Sequence, residues 1–204
     1  MALQSSFKNM LICLTTICLV CSALLAGVYA VTAEPIAAAA VKKTNDAIAA
    51  VLPQFEKASE EKSVLFEGKE YKYYEVYDIE GEVMGYAIKS AEGGFGGPVS
   101  LMVGVLTDGV VYNTNVLSHA ETPGLGAKCT EPAFHDQFIE LNPSTTRLDV
   151  KKNGGDIDAI TAATITSNAY TKAVAKAVAI AATIKEAPQT EEVEPVTEGG
   201  SENE

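Results

Sequence analysis

Tryptophan is absent from this chain of 204 residues, arginine occurs once, at Arg147, and histidine only twice, at His119 and His135. One arginine, with 15 basic against 27 acidic residues and a net charge of -12, argues against a phosphate-backbone partner, which needs clustered Lys and Arg. No nucleic acid is expected. Of four cysteines, Cys13, Cys18 and Cys21 fall in one apolar run, and only Cys129 lies outside it. That leaves no disulfide framework and no C-x-x-C metal spacing. Two histidines without helical spacing, His119 beside Glu121 included, make a poor metal site. G-x-S-x-G is missing, so a serine hydrolase has no support. No internal repeat is visible.

What is present begins with the longest uncharged stretch. Residues 10–31, "MLICLTTICLVCSALLAGVYAV", would span roughly 33 Å as a helix, enough for a hydrocarbon core. A transmembrane anchor is expected there, after a short N-terminus over residues 1–9. A cleaved signal peptide is the alternative, because "VYA" or "VTA" suits a signal peptidase, but the run exceeds the usual ~7 to 15 residues. Lys8 on one side against Lys42 and Lys43 on the other leaves the orientation open. At the opposite terminus, residues 186–204 carry seven glutamates, two prolines and no lysine or arginine, and read as a disordered acidic tail.

Between them, residues 32–61 read as a stalk helix and linker, with Ile36, Ala40, Val41, Ile48, Val51 and Leu52 at roughly helical spacing and an end near Pro53. Residues 62–185 then read as one domain. Two β-rich runs, 71–78 and 83–90, flank "IEGE" as a hairpin, and "VSLMVGVLT" and "VVYNTNVLS" are joined by Asp108-Gly109. The glycines around Phe95 in "EGGFGGPV" predict a flexible or close-approach loop. A short helix near 131–140 and a longer one from Thr166 to Lys185 complete an α+β fold, an antiparallel sheet packed with helices. On the longer helix Ala169, Ala173, Ala177, Ile180 and Ile184 form an apolar stripe, with Lys172, Lys176 and Lys185 turned outwards.

Two stretches carry chemistry. "DAITAATITSNAY", residues 158–170, sets Asp158, Thr161, Thr164, Thr166 and Ser167 just ahead of and into that helix. Helix N-termini gather unpaired N–H donors and partial positive charge, so they bind phosphate without a lysine. On physics alone, caps and turn hydroxyls are the better explanation of these residues. "SHAETPGLGAK", residues 118–128, sets Glu121 and Thr122 before Gly124, Leu125 and Gly126, which suits a planar ligand needing amide contacts at its edge and an apolar face.

Taken with "GGFGGPVSLMVGV" and in this order along the chain, these motifs resemble the covalent FMN-binding domain of the G subunit of the Rnf electron-transport complex. That family is similar to the C subunit of the sodium-pumping NADH:quinone reductase. The resemblance covers most of residues 10–185. It implies that Thr164 is the acceptor of FMN through a phosphoester, with Asp158, Thr161 and Ala163 completing the attachment signature, and with Ala162 where glycine is usual. It further implies that Thr166 and Ser167 bond the phosphate or cap the helix, Thr166 being the fallback acceptor, and that Glu121, Thr122, Gly124, Leu125 and Gly126 line the isoalloxazine.

The resemblance also implies an electron-relaying component of an ion-translocating ferredoxin:NAD+ oxidoreductase, with no dissociable substrate of its own. Its partners would be the other subunits of the complex and, during maturation, a flavin transferase. It would be a single-pass protein of the bacterial cytoplasmic membrane with the FMN domain on the extracytoplasmic side. The alternatives are the quinone-reductase C subunit and a membrane-tethered scaffold module without flavin.

Overall fold

The structure, a computed structural model, describes residues 7–186; most of the expected acidic tail and the first residues of the short N-terminus lie outside them. The described residues divide between Ala47 and Ile48 into two units. The first is helix. Helix α1, Phe7–Val51, runs through the expected boundary between anchor and stalk and holds Pro35 within it. A proline there removes one backbone donor without ending the helix. Apolar residues along its first part are exposed, Leu19 and Leu25 at 71% each, while Ala47, Ile48 and Val51 at its end are buried, and it is long and apolar enough to cross a membrane. The chain is thus equipped for membrane anchoring.

The second unit contains six antiparallel strands: β1 (Lys57–Ala58), β2 (Lys62–Phe66), β3 (Lys69–Tyr77), β4 (Val83–Gly93), β5 (Pro98–Leu106) and β6 (Val111–Ser118). Strand β3 pairs with β4, β4 with β5 and β5 with β6, while β1 and β2 lie end to end along the free edge of β3. Residues 57–66, assigned to the stalk and to the domain's start, therefore belong to the sheet. Hydrogen bonds from Lys72, Lys89 and Tyr74 fasten Glu61 beside that edge and lower its carboxyl to about 2.

Turn chemistry sets the register. Asp78 Oδ1 accepts from the N–H groups of Glu80 and Glu82 at 2.8 and 3.0 Å, closing the β3–β4 hairpin. Gly109, at φ +90°, turns β5 into β6.

Strand β5 is apolar without alternation because both faces are covered. Helix α3, Thr164–Glu186, packs on one face against Tyr86, Ile88, Val99, Leu101, Val103 and Val105. Helix α2, Pro132–His135, and the turn after it bring Phe134 and Phe138 against Tyr170, with ring centroids 5.2 and 4.8 Å from the tyrosine. Burial drives the Tyr170 hydroxyl well above its ordinary pKa, and Thr114 Oγ1 is its partner at 2.7 Å.

The other face receives the end of α1. A Cβ on Gly104 would sit 1.8 Å from the Val51 carbonyl oxygen, and one on Gly85 3.0 Å from Leu52, so these glycines form the seat. Asn113 Nδ2 donates to the Ala50 carbonyl at 2.9 Å. On α3, Lys172 and Lys185 are exposed as expected, but Lys176 is not: it is half-buried in an ion pair with Glu92.

Candidate flavin site

Helix α3 begins with an alanine at its cap. The Ser167 N–H donates to the Ala163 carbonyl at 3.0 Å, the first helical bond, so Ala163 is the N-cap and Thr164 the first helical residue. Alanine has no side-chain oxygen to give the first turn. Those N–H groups keep their donor capacity for a ligand.

The cap is reached through a sharp bend: Ala162 has φ +63°, the left-handed region. A residue with a Cβ is strained there, so this conformation accounts for the glycine that the Rnf resemblance leads one to expect at 162.

That bend separates the residues expected to form an attachment signature. Thr164 is half-buried and borders a cleft of roughly 330 Å³ that is also lined by Phe95, Glu121, Thr122, Leu125, Gly126, Ala162, Ala163, Ile165 and Thr166. Asp158 and Thr161 are not there. They line a different hollow of roughly 270 Å³ with Lys128, Glu131 and Gln137, and Asp158 is exposed and paired with Lys151 at 2.7 Å. Gln137 holds the backbone of Asp158 from both sides, accepting from its N–H at 2.7 Å and donating to its carbonyl at 3.3 Å.

Two hydroxyls of the segment are committed to the protein. Ser167, fully buried, accepts from the Ile160 N–H at 2.9 Å and donates to the Ala163 carbonyl at 3.0 Å, which pins the bend to the helix. Thr166, 1% exposed, donates to Glu121 Oε2 at 2.5 Å. Neither is a cap in the sense of donating to, or accepting from, an exposed first-turn group. Gly124, at φ +75°, shapes the turn beside the cleft and does not line it.

Glu121 ties three segments together. Only 6% exposed, it accepts from Thr166 of α3 through one oxygen and from the Gly96 N–H, 3.1 Å away, through the other. A Cβ on Gly94 would come within 2.3 Å of Glu121 Oε1, one on Gly126 within 2.4 Å of Oε2, and one on Gly96 within 2.0 Å of the Ala120 carbonyl oxygen. These three glycines make room for the carboxyl group and its loop. Nearby, burial and the neighbouring Glu121 push the Cys129 thiol up to about 11, so it is an inert core residue.

Phe95, Ala162 and Ile165 also line the cleft and were not among the expected site residues. The glycine run marked Phe95 as a place of close approach; for Ile165 the only signal was an apolar residue inside a polar motif.

Residues 94–179 match the family model described as an FMN-binding domain. The chain is 32% identical over 179 residues to the G subunit of the ion-translocating oxidoreductase complex of Methanosarcina acetivorans, covering 86% of this chain and 94% of the relative. The chain belongs to the G-subunit family of ion-translocating oxidoreductase complexes. It is also 32% identical over 166 residues to the G subunit of the proton-translocating ferredoxin:NAD(+) oxidoreductase complex of Clostridium ljungdahlii, covering 81% and 86% of the two chains. Among solved structures, the C subunit of the Na(+)-translocating NADH-quinone reductase of Parabacteroides distasonis aligns with a TM-score of 0.44 at 21% identity, over 58% of this chain and 64% of that one. Proteins of the G-subunit family are parts of multi-subunit complexes, and the FMN-binding domain of this one contains the cleft at the start of α3.

Proposed function

We propose that this G-family protein relays electrons within an ion-translocating ferredoxin:NAD+ oxidoreductase through FMN held covalently by a phosphoester to Thr164. One observation carries the reading: Thr164 opens α3 at the wall of a cleft that also contains the Glu121–Gly126 loop. A flavin phosphate on its hydroxyl would meet the first-turn N–H groups, which the alanine cap leaves to a ligand, and the favourable end of the helix dipole.

The residues present fit the group. A cleft of roughly 330 Å³ is of the usual size for an organic ligand, about 300–1,000 Å³, and its walls mix apolar side chains with a few polar groups. Leu125 and Ile165 offer apolar contact, while Thr122 and the backbone of the loop offer hydrogen bonds at its rim. Thr166 is the weaker acceptor, because its hydroxyl is buried and bonded to Glu121.

FMN supplies the redox chemistry, and this chain's residues hold and orient it. Covalent attachment suits a relay with no exchange step, since a dissociating flavin would be lost by dilution outside the cell membrane. Asp158 and Thr161, on the far side of the bend, are left to present the segment to the flavin transferase that installs the group. Helix α1 anchors the domain, with the flavin on the extracytoplasmic side and the N-terminus in the cytoplasm; a C-terminus sheltered from protease together with the cytoplasm, in cells whose cytoplasmic membrane is the sole barrier, would overturn that orientation.

The test is intact mass and in-gel flavin fluorescence of the protein made together with a flavin transferase. Wild type is expected to gain the mass of one esterified FMN and to fluoresce, and Thr164→Ala to do neither. A wild type without added mass would favour the scaffold reading, and label retained by Thr164→Ala would move the attachment elsewhere.

A further inference from the structure

Phe95 is an aromatic side chain without cover. It is 71% exposed at the tip of the loop between β4 and β5, yet the backbone beneath it is fastened: the Gly94 N–H donates to the Gly97 carbonyl at 2.9 Å and the Gly96 N–H to Glu121 at 3.1 Å. The loop presses so closely on residue 120 that Gly96 admits no side chain. A braced loop thus holds a phenyl ring in water, where the ring gains nothing from burial.

Its neighbours point the same way. Outside α1, the large hydrophobic residues exposed among the described residues are Leu65, Ile79, Phe95, Leu125, Ile139 and Ile165. Three of these six, Phe95, Leu125 and Ile165, border the one cleft that Thr164 borders. Phe95 alone among them brings a flat π face, and the glycines on both sides of it leave no competing side chain.

We propose that Phe95 is the aromatic wall of this cleft, its ring in van der Waals contact with the isoalloxazine. This rests on the flavin reading of the cleft. An aromatic face offset against a planar heteroaromatic ring is a favourable arrangement, and it shields that side of the ring from water. Phe95 is thus a positioning residue that fixes where the isoalloxazine lies once its phosphate is tethered at Thr164.

The absence of tryptophan makes a clean test. Phe95→Trp and, as a control, Ile79→Trp in the β3–β4 turn, 88% exposed, each place a single indole in the protein. Both are made with a flavin transferase, and emission is measured per mass-verified flavin. Indole quenches flavin emission only at contact range, so Phe95→Trp is expected to lose most of its emission and recover it in urea, while Ile79→Trp matches wild type. Undiminished emission from a fully flavinylated Phe95→Trp overturns the proposal. Phe95→Ala gives a second readout: iodide should quench its flavin more strongly than that of wild type, and equal quenching also overturns the proposal. A wild type that carries no flavin mass overturns the flavin reading itself, which separates the two failures.

Discussion

Two hollows flank the segment that leads into α3, and they differ in kind. The one bordered by Thr164 has Phe95, Leu125 and Ile165 on its walls and the buried Glu121 beneath; the one bordered by Asp158 and Thr161 has Lys128, Glu131 and Gln137 about it. Asp158 and Thr164 are only six positions apart, yet the left-handed Ala162 sends them to different places. Nearness in a motif is therefore not nearness in a site. The first hollow offers exposed apolar side chains to a ligand, and the second adds the charged groups of Lys128, Glu131 and Asp158 to the apolar Phe134 and Ile160.

Substitutions break or sharpen this contrast to different degrees. The largest effect is expected from Thr164→Ala, with complete loss of the esterified FMN mass and no change in melting temperature beyond about a degree, because a half-buried hydroxyl on a helix start adds well under about 0.5 kcal/mol. Next comes Glu121→Ala, which strands the Thr166 hydroxyl and the Gly96 N–H and empties the floor of the cleft. A loss of about 2–4 kcal/mol is expected in urea unfolding, with Glu121→Gln recovering a good part of it. A stability equal to wild type in Glu121→Ala would show that the three segments are held by other means.

Ala162→Gly removes a Cβ from a left-handed residue. Relief of that strain exceeds the added freedom of the unfolded chain, so a gain of up to about 1 kcal/mol is expected, with flavin loading at least as complete as in wild type. The smallest effect on folding belongs to Asp158→Ala. Its side chain is exposed and its ion pair with Lys151 is of the kind worth about 0–1 kcal/mol, so thermal unfolding should barely move. If flavin loading falls all the same, while protein already loaded keeps its emission, the second hollow serves the transferase and not the cofactor.

Much of this was legible in advance. Strands β3 to β6 announce themselves through β-branched and aromatic runs closed by Asp and Gly turns, and α3 through its alanine and isoleucine stripe. Strands β1 and β2 do not, because "KA" and "KSVLF" are too short to show a period and gain their place only by pairing with β3. The continuity of α1 past residue 31 was hidden because composition changes there while helical backbone does not, and Pro35 reads locally as a break. In the site, the threonines and the Pro-Gly-Leu-Gly loop could be named. What could not be read was the division of labour among the hydroxyls: the sign of one φ angle at Ala162 and the reach of Glu121 across to Thr166, 45 positions along the chain, depend on tertiary packing.

The glycine seat at Gly104 has a consequence for distance. Strand β5 carries that seat at one end and the start of the Phe95 loop at the other, from Pro98 to Gly104. Six steps of extended chain measure about 20 Å. A strand paired on both sides and buried on both faces neither stretches nor bends readily, so it acts as a ruler: the place where α1 ends and the place where the cleft opens keep a fixed stand-off.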